Sequence, residues 1–121
     1  MTALDTISIL AFVVLRSDPA AVGVAIHSAP DGGRIAVFTQ HGQPLRNFVT
    51  GDGSMLIHGT GASDEAAIAA LVAKLRTMAE SRAERCEQWA AEERARSGQT
   101  EWARLNDQAA AELRAALGGA A

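Results

Sequence analysis

Tyrosine is absent from this sequence, and aromatic residues make up only 4% of it. Aromatic side chains carry the largest buried areas, so a core has to be built without them. Much of the 48% apolar content is alanine, which buries little surface and adds little to the hydrophobic term. The core is therefore expected to rest on a short set of larger residues. These are Ile7, Ile9, Phe12, Val14 and Leu15, then Val24, Ile26, Ile35, Val37, Phe38, Met55 and Ile57, then Ile68, Leu71 and Leu75.

Cysteine occurs once, at Cys86. One cysteine forms no internal disulfide, which fits a reducing compartment. No apolar run approaches the roughly 20 residues that span a bilayer. The strongest, Ile7 to Leu15, lacks a basic leader and follows Asp5, which argues against a secretory signal. A cytoplasmic protein with no membrane partner is expected. There is also no polybasic run: the net charge is −3 and the pI about 5.5. Nucleic-acid binding asks for a basic face, so no nucleic acid is expected, and the acidity is too mild for DNA mimicry. Lys74 is the only lysine. Arginine and alanine excess together have the coding bias of a GC-rich bacterial or phage gene.

What is present predicts one domain over 1–121, with enough chain to bury a core without metal or disulfide. The charged fraction of 21% argues against disorder. Residues 1–61 read as an antiparallel β-meander of four or five strands. Asp5 to Leu15 is nearly all apolar and rich in β-branched residues, which predicts a central strand buried on both faces. A helix is the alternative, because a continuous apolar run has no period to read. Ser17-Asp18-Pro19 ends it. Val22 to Ser28 alternates, and Arg34 to Gln40 follows Pro30-Asp31-Gly32-Gly33, the pattern of a hairpin. Leu45 to Thr50 reads as an edge strand and Ser54 to His58 as a short last one, joined by Gly51-Asp52-Gly53.

After Gly59-Thr60-Gly61 the period changes, and 62–118 reads as a helical hairpin. Ser63 is a good N-cap, followed by Asp64 and Glu65, which suit a helix start. Ile68, Leu71, Val72, Leu75 and Met78 recur at helical spacing. Ser97-Gly98 is the stop, and Thr100 caps a second helix to about Leu117. The fold class is thus α+β: a β-meander followed by a long helix and a shorter one. The long helix outruns a small sheet, so its second part must pack on the next helix or on another chain.

Chemical motifs are weak. Gly59-Thr60-Gly61-Ala62-Ser63 has the outline of an anion-binding turn. It lacks the lysine of a phosphate loop and the third glycine of a dinucleotide turn, and Asp64 and Glu65 would repel phosphate. A flexible connection with an ordinary cap is expected there. His27, His41 and His58 lack the close pairing of metal ligands, so no metal and no cofactor are expected. Cys86, with Arg82 and Arg85 just before it, resembles an activated thiol, but a small residue on a helix seam is the commoner case. No catalytic residue stands out, and the balance leans away from an enzyme.

Trp89 and Trp102 flank the interhelical turn, among Arg82, Arg85, Arg94 and Arg96. Tryptophan and arginine are enriched at binding hot spots. The expected function is a non-enzymatic protein-interaction module that binds a protein partner or itself as a homodimer through these six residues. Small phage or bacterial accessory proteins, anti-CRISPR inhibitors among them, block or bridge larger complexes. Size and composition alone carry that comparison. The alternative is a ligand-binding or enzymatic domain with a pocket between sheet and helices, using His27 or His58.

Overall fold

The computed structural model describes residues 2–44 and 57–119. The fold is α+β, an antiparallel sheet followed by a long helix and a shorter one. The first element corrects the expectation of a central strand. Ala3–Leu15 is a helix, α1. Its start is a capping box: the Asp5 amide donates to Thr2 Oγ1 at 3.1 Å, and the Thr2 amide donates to Asp5 Oδ2 at 2.9 Å. Two orphan donors are satisfied reciprocally. Ile7, Leu10, Ala11 and Val14 then share the buried face, at the three- and four-residue spacing of a helix. Phe12, expected in the core, is on the opposite side and 50% exposed.

α1 ends at Arg16, which takes a left-handed conformation at φ 56°. Ser17 behind it is buried and donates to Gln40 Oε1 at 3.1 Å, tying the helix end to the sheet. A short 3-10 turn at Pro19–Ala21 leads into β1, Val22–Ser28, and β2, Arg34–Gln40. Both strands stand where the alternation places them. They pair antiparallel from Val22↔Gln40 to Ser28↔Arg34. The loop between them is held by Asp31 Oδ1, which accepts from the Gly33 amide at 3.0 Å.

β2 is the central strand. Its other edge carries two short partners end to end: β3, Gln43–Pro44, opposite Thr39 and Gln40, and β4, His58–Gly61, opposite Arg34 to Val37. The sheet is therefore not a simple meander, since β4 returns to β2. The expected strand over 45–50 lies outside the described residues, as does the expected strand over 54–58 apart from Ile57 and His58. β4 instead occupies the Gly59-Thr60-Gly61 segment expected as a flexible connection. Those glycines pass against α2, Asp64–Ser97. A Cβ on Gly59 would lie 2.6 Å from the Ala67 carbonyl oxygen and closer still to the Leu71 amide nitrogen. A Cβ on Gly61 would lie 2.6 Å from the Ala66 Cβ. Only glycine lets strand and helix backbones meet at this separation.

α2 has 34 residues, or about 51 Å at the helical rise. Ser63 caps it by accepting from the Ala66 amide at 3.2 Å. Its buried seam runs Ala67, Leu71, Leu75, Ala79, Ala83, Cys86 and Ala90. The sheet covers the first turns; α3, Glu101–Gly119, turns back at Gly98 and packs along the rest. Thr100 caps α3, accepting from the Ala103 amide at 3.2 Å and donating to Glu93 Oε2 at 2.8 Å. α1 packs on α2 and α3, so one core joins Ile7, Leu10 and Val14 to Phe38, Ile57, Leu71, Leu75 and Leu113. Among the described residues, no helix is long and apolar enough to cross a membrane.

Gly59→Ala should destabilise the fold by about 1–3 kcal/mol, because an added methyl in a tight backbone contact has to displace α2. Urea unfolding measures this. An unchanged midpoint would show that the contact is not tight in solution.

Candidate functional site

The region where α1 ends against the hairpin collects the side chains of interest. Trp89 on α2 and Trp102 on α3 face each other with ring centroids 6.3 Å apart and planes tilted by 43°, within the range of favourable aromatic pairs. They are 41% and 45% exposed. One helical turn before Trp89, the Arg85 guanidinium carbon stands 5.9 Å from the Trp89 ring centroid, a cation–π contact. A further turn back, Arg82 Nη1 donates to the Val14 carbonyl oxygen at 3.4 Å. That carbonyl belongs to the last turn of α1, which has no basic residue of its own. Arg82 thus supplies the cation that a helix C-terminus favours.

A cleft of about 260 Å³ lies between these elements. Val13 and Arg16 line it from α1, Arg82, Arg85, Cys86 and Trp89 from α2, and Asn106, Ala109 and Leu113 from α3. Three arginines line it, and no aspartate or glutamate is among these lining residues. Arg16 meets Glu112 at 3.6 Å, with both side chains largely in solvent.

Of the six residues expected at a binding surface, the structure brings Arg82, Arg85, Trp89 and Trp102 together. It does not add Arg94 and Arg96 to the group. Arg94 Nη1 is 2.5 Å from Asp107 Oδ2, and Arg96 Nη2 is 2.7 Å from Glu93 Oε1, so both are engaged within the hairpin. Arg16 and Asn106 belong to the site and escaped sequence reasoning. Arg16 is 66 positions before Arg82 in the chain, and no local pattern connects the two. The signal that existed was Thr2-x-x-Asp5, the capping-box spacing, which would have made α1 a helix with Arg16 at its end. Cys86 is nearly fully buried in the α2 seam, beside the cleft floor.

The histidines lie elsewhere. His27 is exposed on β1, His41 is exposed in a turn at φ 54°, and His58 is half-buried in β4. Among the described residues, no three His, Cys, Asp or Glu side chains are placed to hold a metal ion. A second, shallower depression of about 670 Å³ lies on the outer face of α1, lined by Asp5, Ser8, Ile9, Phe12, Val13 and Pro19. Comparison with protein-family models, with curated proteins and with solved structures finds no match to this chain.

The hairpin's flanks are laced by ion pairs that shift its carboxyl groups. The Arg114 guanidinium donates to Glu87 Oε1 at 2.8 Å and holds the Glu87 carboxyl below its ordinary range. Arg96, and then the Thr100 hydroxyl, do the same for Glu93, and Arg104 does so for Glu101. A carboxyl lowered in the folded state stabilises the fold above its ordinary value of about 4.3. That contribution disappears as the pH falls through the lowered value. The melting temperature should therefore drop between pH 5 and 3, and Glu87→Gln with Glu93→Gln should flatten that decline; an acid limb identical in the double variant would rule these pairs out as its source. Trp102→Ala should remain folded and lose about 1–3 kcal/mol, the aromatic-pair term plus the buried half of the side chain, as read by urea unfolding. A loss of several kcal/mol would make the pair core.

Proposed function

We propose that this chain is a non-enzymatic protein-binding module that grips a partner with the cleft face of its helical hairpin, at Trp89, Trp102 and the adjoining arginines. The tryptophan pair carries the reading. Two large rings pack against each other, and each keeps over two-fifths of its surface in water. Half-exposed tryptophans beside arginine are the residue types that dominate binding energy at interfaces. The same face is basic within an acidic chain, so the complementary partner presents an apolar segment with acidic residues. A second copy suits this face poorly, because a two-fold contact would set Arg16, Arg82 and Arg85 against the same three groups.

Self-association is the second reading, and a different surface favours it. The outer face of α1 exposes Leu4 and Phe12 beside Ile9 and Pro19, with Asp5 the only charged residue lining its depression. A two-fold contact there sets almost no like charges against each other.

Immobilised wild-type protein is expected to retain a lysate protein that the folded Trp89→Ala, Trp102→Ala double variant retains at least about tenfold less, since a hot-spot pair is worth about 2 kcal/mol or more. Equal retention by the two would sink the proposal. Light scattering should give the monomer mass; a doubled mass abolished by Phe12→Glu would put the α1 reading in its place.

A further inference from the structure

We infer that the cleft enclosed by Arg16, Arg82 and Arg85 is a carboxylate-binding site that takes an acidic residue or chain terminus of the partner protein. This rests on the protein-binding reading above and specifies its anchor. Arginine's planar fork matches a carboxylate with two parallel hydrogen bonds. Here three arginines, from the end of α1 and from α2, line one opening. Each is held in place by something other than a carboxylate in the cleft. Arg82 is tethered to the Val14 carbonyl through one nitrogen, while a guanidinium has five N–H donors. Arg85 lies over the Trp89 ring. Among the described residues, the Arg16 guanidinium has one ion pair, a solvent-exposed contact to Glu112, of the kind that contributes little and is easily exchanged.

The backbone at Arg16 is an independent observation. Its φ of 56° is left-handed, a conformation that glycine adopts freely and an L-residue adopts at a cost. Glycine is the usual occupant after a helix end. An arginine there accepts local strain and gains a guanidinium at the mouth of the cleft, a trade found where side-chain function outweighs local stability. Of the remaining walls, Val13, Cys86, Trp89, Ala109 and Leu113 are apolar and Asn106 offers a neutral amide. A volume of about 260 Å³ is smaller than the usual small-molecule pocket and suits one side chain or one terminus. Walls that are apolar except for one neutral amide favour a singly charged carboxylate over a doubly charged phosphate, which costs more to desolvate.

The test is a titration of the full chain followed by the indole N–H and arginine Nε–H signals in ¹H–¹⁵N spectra. The probes are N-acetylphenylalanine, its amide and inorganic phosphate. Saturable shifts at Trp89 are expected with the carboxylate, with the amide weaker by about tenfold or more, the worth of a charge-assisted hydrogen bond. Arg16→Gly should weaken the carboxylate while leaving the melting temperature unchanged or raised, which separates recognition from folding. Equal shifts from acid and amide, tighter binding of phosphate, or full affinity in Arg16→Gly would each overturn the site. The titration needs no partner, so carboxylate binding without a captured protein removes the protein-binding reading and leaves the cleft. A captured protein retained equally by Arg82→Gln, Arg85→Gln removes the cleft and leaves that reading.

Discussion

The contact between the β4 backbone and the first turns of α2 organises everything else. Gly59 and Gly61 present no side chain, so the strand lies directly on the helix at Ala66, Ala67 and Leu71. That seats the sheet on the first part of α2, with Phe38 of β2 and Ile57 beside β4 in the core against Leu71 and Leu75. A helix of 34 residues anchored there at one end extends well beyond a sheet whose longest strands have seven residues. The far part of α2 needs other cover, and α3 and α1 supply it.

The cover is made with small residues. α2 buries Ala79, Ala83 and Ala90, and α3, which packs along it, buries Ala103, Ala110 and Ala116. Alanine lets helices approach closely but buries little apolar area per residue. The flanks compensate with ion pairs between the helices, Arg94 with Asp107 and Arg114 with Glu87. Those pairs are exposed and individually weak, so they fix the register of the hairpin more than they hold it together. The aromatic side chains nearest the turn, Trp89 and Trp102, pack on each other with Arg85 over Trp89, and they stay partly in water. Where α1 ends above this seam, long arginines reach over small residues. A cleft with a cationic rim follows from that difference in side-chain length.

Much of this was legible in the residues. β1 and β2 follow from alternation between turn signals, and both helices of the hairpin follow from Ser63, Thr100 and Gly98 as caps and stop. The pairing of Trp89 with Trp102 follows from their positions on either side of a short turn. α1 was not legible by composition, because a continuous apolar stretch carries no period. Its capping box at Thr2 and Asp5 carried the information that its hydrophobicity did not. β4 was missed because two glycines in three residues resemble a loop until a helix backbone is seen pressed against them.

The sequence by itself determined the class of fold, the two hairpins and the residue types available for binding. These depend on interactions within a few turns or between adjacent strands, which local spacing encodes. Only the tertiary structure decided that Arg16 joins Arg82 and Arg85, that Arg94 and Arg96 are engaged elsewhere, and that Phe12 faces water. Each of those outcomes depends on how α1 docks against the hairpin. Docking is the sum of many weak, non-directional contacts between distant segments, and no local pattern of residues specifies it.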